Sequence, residues 1–382
     1  MAIDLKLLGE KLSRYRSQLK VDLDEISEAT GIPIDSVSSF ESGLTAPTGD
    51  QLLILADYFK CDYGELISNE PETTLDRTDT LFRRFGEEFS KADRWAVREF
   101  LFLCESEHFL QEQLSRPTQR SFEFSRVGTY VKGHGEAAAA ELRRYFHHPD
   151  HGVPMDVYSD LRELGIRVFR RKLENSNISG LYVRHPYAGD CVLVNYSEDV
   201  YRQRFTAAHE GAHAIFDRDE EVVVSFSWDA GDLKEVRANT FASRYLMPPA
   251  FLRRIPGSTD WNQEKLLEWS ARLKVNPTAL LIALADEGLI TNEDKDRMKG
   301  AKLPKALKVD PELSESLAPR SRQRKQELLE RGLSSRYVSL CFAGYRANLV
   351  TSSRLVELLL LDGDEALREL AGLYGEALEY AG

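Results

Sequence analysis

The stretch Phe205-Thr206-Ala207-Ala208-His209-Glu210-Gly211-Ala212-His213-Ala214-Ile215-Phe216 decides how the rest of the chain is read. It contains His-Glu-x-x-His. On an α-helix, residues four apart share a face, so His209 and His213 can aim two imidazoles at one metal ion. Glu210 sits one step round, within reach of a water on that ion rather than of the ion itself. Two neutral His ligands and a carboxylate that accepts a proton from water are the zinc-hydrolase arrangement. Zn2+ is the expected cofactor, with His209 and His213 as ligands and Glu210 as general base. Ala207, Ala208, Gly211 and Ala212 are small enough to let other elements close in, and Phe205, Ile215 and Phe216 are apolar, as in a buried helix.

Such a site needs a third protein ligand and an open position for water. No histidine follows His213 in the chain. The third ligand is then a downstream carboxylate or an upstream His. Glu235 is the best carboxylate. It begins a helical pattern through Met247, in which Ala238, Phe241, Ala242, Tyr245 and Leu246 form one apolar stripe. Asn239, four residues on, shares its face and can hydrogen-bond the free nitrogen of a ligand His. Asp217, Asp219, Glu220, Glu221, Asp229 and Asp232 compete but read as a solvated loop. His147, His148 and His151, around Pro149 and Asp150, are the rival upstream source.

His209-Glu210-Gly211-Ala212-His213, then Glu235-x-x-Ala238-Asn239-x-Phe241-Ala242, then Leu246-Met247-Pro248, resembles the ImmA/IrrE family of metallopeptidases over roughly residues 130 to 290. The resemblance implies a compact zincin-like fold and a zinc endopeptidase. Its known members cleave helix-turn-helix repressors and so release mobile-element or stress genes. Carried across, His209, His213 and Glu235 would bind zinc and Glu210 would be the base.

Residues 5 to 68 carry short helical patterns broken by Gly31, Gly43 and Pro47, the helix-turn-helix layout. The segment resembles the phage-repressor (XRE or Cro-type) domain through Ile26, Ala29, Gly31-Ile32, Val37, Glu41, Gly43 and Pro47. Its recognition helix, Pro33 to Ser42, has no Lys or Arg, and helix 2 carries Asp22, Asp24, Glu25 and Glu28. Phosphate contacts need cations. Ser36, Ser38 and Ser39 remain as candidate donors to operator DNA. The competing reading is a helical domain for dimerisation or for docking a repressor of the same fold.

The net charge of -12 argues against a large non-specific nucleic-acid surface. No run approaches the ~18 apolar residues of a membrane span, so no membrane partner is expected. Cys61, Cys104, Cys191 and Cys341 are scattered and read as reduced thiols of a cytoplasmic protein.

The expected fold class is mainly α with a small β-sheet. Four parts are expected: a five-helix helix-turn-helix domain over 1–70, a helical linker over 71–120, a zincin-like α+β metallopeptidase core over 121–297, and a C-terminal helical module for sensing or oligomerisation over 298–382. Pro71 to Thr80 reads as polar linker. The aromatic-rich pattern from Leu81 to Leu114 reads as core or the seam of a homodimer. Short strands are expected at Ile166 to Phe169, Gly180 to Val183 and Cys191 to Asn195, the last two as a hairpin. Tyr182, His185 and Tyr187 are candidates to polarise a substrate carbonyl. The first expectation for function is a zinc endopeptidase in gene regulation, with a protein substrate such as a helix-turn-helix repressor, or the chain itself. The alternative is a DNA-binding regulator whose peptidase-like domain senses a ligand or metal without turnover.

Overall fold

A computed structural model of the chain describes residues 3–69, 74–116, 122–126, 128–149, 152–154, 156–226, 232–314 and 316–378. Five short helices come first: α1 (Leu5–Leu19), α2 (Leu23–Thr30), α3 (Ile34–Glu41), α4 (Gly49–Tyr58) and α5 (Tyr63–Ile67). Their ends are written locally. Asp22 and Glu25 close a capping box on α2, Gly31 ends that helix at φ 72°, and Thr48 and Gln51 box the start of α4. Leu8, Leu12, Ile26, Val37, Leu55 and Phe59 meet in a core of their own.

Helix α6 (Thr74–Phe85) occupies most of the polar stretch expected as a linker, and α7 (Lys91–Gln113) follows. Pro71 lies outside the described residues. The polarity that suggested a linker serves contacts on two sides of α6. Thr78 donates to Gln18 of α1 and Asp79 accepts from it, while Arg77 pairs with Glu221 and Thr80 donates to it at 3.3 Å.

The centre of the molecule is a mixed sheet, with α8 (Val131–Tyr145) and α9 (Val157–Glu163) on its front. Its strands are β1 (Arg167–Arg171), β2 (Ile178–His185), β3 (Gly189–Asn195) and β4 (Val222–Phe226), in the order β1-β3-β2-β4. β1 runs parallel to β3, and β2 is antiparallel to both β3 and β4. The three expected strands and the hairpin are present. β4 corrects the reading of residues 217 to 232 as solvated loop. Val222, Val223 and Val224 are β-branched and pair with Val183, Tyr182 and Leu181.

Alternation along the strands gives the sheet two apolar faces. Val168, Tyr182, Val192 and Val194 point to the front, against α10 (Val200–Phe216), α8 and α11 (Leu233–Leu246). Phe169, Leu181, Leu193 and Val224 point to the back. There they meet Phe100 and Leu103 of α7, and Tyr337 and Phe342 from the C-terminal helices. The ring of Phe169 packs edge-on against Phe100 and Tyr337 at 6.2 and 5.5 Å. The aromatics of α7 are thus covered largely by this chain itself, although Phe109 stays exposed.

Short α12 (Pro249–Leu252), α13 (Gln263–Leu273), α14 (Pro277–Asp286) and α15 (Asn292–Met298) complete the front. Asn276 caps α14 with Pro277 at its first position, as the sequence suggests. α16 (Pro319–Glu330), α17 (Ser335–Arg346), α18 (Ser352–Leu358) and α19 (Asp364–Tyr374) form the rear bundle. All four cysteines are buried and free. No helix among the described residues is long and apolar enough to cross a membrane.

Candidate metal centre

Two helices bring the site together. Asp199 starts α10 by accepting the Tyr201 N–H at 3.1 Å, and α10 then crosses the front of the sheet with its small residues inward. Gly211 lets Leu161 of α9 pack close, since a Cβ there would stand 2.5 Å from Leu161 Cδ2 and push that side chain aside. Asp232 starts α11 by accepting the Lys234 N–H at 2.8 Å. Glu235 falls in the first turn of α11, where the helix dipole favours a carboxylate.

His209 Nε2 and His213 Nε2 lie 3.2 Å apart. Glu235 Oε2 is 3.0 Å from the first, and Oε1 is 3.2 Å from the second. Metal bonds of about 2.0–2.1 Å in a tetrahedron give ligand edges of about 3.3 Å, so the spacing suits a zinc-sized ion. Among the described residues this is the group of His, Cys, Asp and Glu that converges in this way. The outer nitrogens are held too. His209 Nδ1 faces Asn239 Oδ1 at 3.1 Å, and His213 Nδ1 faces Asp217 Oδ2 at 2.8 Å. Donation from Nδ1 turns each Nε2 lone pair into the cluster.

Asp217 is a residue that sequence reading missed. The acidic run around it reads as a solvated loop, yet Asp217 is 5% exposed and also accepts from Arg237 Nη2 at 2.5 Å. The guanidinium of Arg237 is stacked over Phe216. The available signal was spacing: Asp217 lies four residues after His213, on the same helix face.

Electrostatics show what the cluster attracts. Burial disfavours the imidazolium of His213, yet Asp217 and Glu235 outweigh it and push His213 up to about 9. Burial also opposes the Glu235 carboxylate, yet His209 and His213 hold it at about 2. The side chains together call for a cation in the space between them. Glu210 is different. It is fully buried, and neither carboxylate oxygen has a hydrogen-bond partner among the described residues. Burial pushes its carboxyl up, against the pull of His209, His213 and the nearby Ser225. Such an orphaned buried carboxylate is costly unless something charged or protic sits beside it.

A cavity of about 140 Å³ opens over these groups, walled by Ser179, Thr206, Ser225 and Phe226. Strand β2 closes its rear at Gly180, where a Cβ would stand 2.8 Å from Glu210 Oε1 and from the Leu193 carbonyl. Several candidates lie elsewhere. Tyr182 is buried and donates to Asp190 Oδ1 at 2.8 Å, and His185 contacts Glu105 at 3.1 Å. Neither these nor Tyr187 lines the cavity. His148 contacts Asp160 at 3.1 Å. Asp150, His151 and Asp229 lie outside the described residues.

The helix-turn-helix face has another character. Ser38 is exposed, Ser36 and Ser39 are half-buried, and Ser39 Oγ accepts from Thr45 at 2.9 Å. Ile34 and Asp35 are exposed beside them. Three of the four cations of α1, Lys11, Arg14 and Arg16, are tied to this chain, while Lys6 is exposed. Lys11 donates to the carbonyls of Glu65 and Ser68 at 2.6 Å. Arg14 holds Asp76 and Asp79, and Arg16 holds Glu41 at 2.7 Å.

The fold and the centre define a mainly helical protein with a small mixed sheet, a His-His-Glu cluster suited to a metal ion, and a five-helix N-terminal unit. Comparison with known families agrees. Residues 161–285 match the family described as IrrE N-terminal-like domain (Peptidase_M78), and residues 12–66 match the family described as Helix-turn-helix. The chain therefore joins a helix-turn-helix domain, a fold used by DNA-binding proteins, to an ImmA/IrrE-like peptidase domain. Neither a curated protein nor a solved structure matches the chain.

Proposed function

We propose that the protein is a zinc endopeptidase that acts in gene regulation in the cytoplasm, cleaving a helix-turn-helix repressor, another regulatory protein, or itself. The observation that carries this reading is the convergence of two Nε2 atoms and the Glu235 carboxylate at 3.0–3.2 Å, beside the buried and unpartnered Glu210. In this reading His209, His213 and Glu235 hold the ion, and Asn239 and Asp217 fix the imidazoles. The ion, when bound, supplies Lewis acidity and lowers the pKa of a water to near neutrality. Glu210 takes the proton of the attacking water and delivers it to the leaving amine. The raised proton affinity that burial gives Glu210 suits a group that must hold a proton between those two steps. Residues 1–70 would bring the peptidase to an operator or a repressor, with the peptidase domain over 121–297 and a regulatory module over 298–382.

The rival reading, a DNA-binding regulator that senses metal without turnover, gives no role to a buried base at Glu210. One experiment separates them. Metal content and cleavage of a candidate repressor are measured for the wild type, Glu235→Ala and Glu210→Gln. The expected result is about one zinc per chain in the wild type and in Glu210→Gln, with zinc lost from Glu235→Ala. Cleavage is expected to fall about 10²–10⁴-fold in Glu210→Gln. A wild type that takes up no zinc, or a Glu210→Gln variant that cleaves normally, refutes the reading.

A further inference from the structure

A second cavity of about 570 Å³ adjoins the first and shares Arg202, Phe205 and Asn239 with it. The two differ in chemistry. The first is small and lined by the groups that face the metal cluster. The second has the size of a cleft that holds a sizeable ligand, about 300–1,000 Å³. Its walls include Phe205 of α10, Val236 and Thr240 of α11, and Ala279 and Ile282 of α14.

Helix α14 shows that this wall is not ordinary core. Leu280, Leu281, Ala283 and Leu284 are buried in the front core. Ile282 lies among them in sequence yet is 52% exposed, and it borders the cavity together with Ala279 three residues before and Asp286 four residues after. The charged groups of the wall already have partners, and Ser243, Asn276 and Thr278 add small polar groups beside them. Asp286 pairs with Lys132 at 3.2 Å, and Arg202 pairs with Glu198 at 2.7 Å and donates to Ser179 at 3.3 Å. What is offered to an incoming group is apolar surface edged by satisfied charges. A chain whose peptide bond lies in the first cavity has the second directly beside it across Phe205 and Asn239.

We propose that this second cavity is the main side-chain subsite of the protease site and accepts a bulky apolar residue, aromatic or branched aliphatic, next to the scissile bond. The substrate class is then a polypeptide with such a residue at the cut, and Ile282 and Ala279 set the preference. The inference rests on the peptidase reading for its meaning but is tested without turnover.

The full chain, labelled at Ile and Val methyls, is titrated with N-acetyl-phenylalanine amide and with N-acetyl-glycine amide and followed by NMR. The expected result is saturable shifts at Ile282 and Val236, with the phenylalanine compound bound at least about tenfold tighter, since a methylene in an apolar pocket is worth about 10–200-fold. Ala279→Trp, which fills the cavity, and Ile282→Glu, a change at an exposed position, should each remove that preference. Equal response to the two compounds, or shifts that survive both substitutions, overturns the proposal. Zinc content of the same sample keeps the two readings apart. Discrimination without zinc uptake sustains the apolar subsite and removes the peptidase reading. Zinc uptake without discrimination removes the subsite alone.

Discussion

The metal centre and the helix-turn-helix face are both patterns carried by short helices, yet they have opposite relations to their chemistry. At the centre every polar group is turned toward one point. His209, His213 and Glu235 converge, Asn239 and Asp217 contact the outer nitrogens of the two imidazoles, and buried Glu210 lies beside them without a hydrogen-bond partner among the described residues. At the helix-turn-helix face the fold is intact while its charge has gone elsewhere. Residues 1–69 hold six Lys or Arg against twelve Asp or Glu. Of the six, Lys11, Arg14 and Arg16 are spent on internal contacts. The fold alone therefore does not say what this face does, and function is argued from the site.

That contrast can be attacked from both sides. The largest effect is expected from Asp217→Asn. Loss of the carboxylate that fixes His213 should weaken zinc binding about 10–100-fold, read by competition with a chelating dye. An unchanged affinity would mean that His213 needs no orienting partner. A smaller, pH-dependent effect concerns the metal-free protein. His213 sits at about 9 against an ordinary 6.5, so the folded state holds a proton that the unfolded state has released. The stability this gives is fully present below about 6.5 and is lost as pH rises through about 9. After chelation, the melting temperature should fall over that window, whereas the zinc-loaded protein, whose ion replaces the proton, should change less. Parallel curves would contradict the picture of a cluster that needs a cation.

The smallest effect belongs to the other region. Lys6 and Lys20 are its exposed cations, and each neutralised phosphate contributes about 0.9 to the salt slope of duplex binding. Duplex binding by the full chain through its helix-turn-helix domain alone should therefore show a slope no steeper than about -2. A steeper slope would show that Arg14 and Arg16 leave their carboxylates for phosphate, which would dissolve the contrast.

Some of this was legible in the chain and some was not, for physical reasons. His209, Glu210 and His213 are readable because helical periodicity alone places them together. Glu235 and Asn239 are readable because an apolar stripe marks their helix. Asp217 was lost in an acidic run, Asp217-x-Asp219-Glu220-Glu221, whose composition suggests water. Its contacts with His213, one turn earlier, and with Arg237 from another helix separate it from its neighbours. Strand β4 was hidden beside the same run, being five residues long and recognisable mainly by its pairing with β2. Helix α6 looked like linker because its polar groups meet partners distant in sequence, Gln18 and Glu221 among them.

The two-faced sheet has a consequence for how such a protein can be rearranged by recombination. The family match over 161–285 includes all four strands with α10 and α11, but neither α8 on the front nor α7 and α17 on the back. Moved into another gene as a cassette with those boundaries, the matched segment would carry Phe169, Leu181, Leu193 and Val224 as a bare apolar plane. The heritable module is thus larger than the recurrent one. Whatever host receives the segment must also supply a helix to lie on its back, and that requirement limits the partners to which this chemistry can be joined.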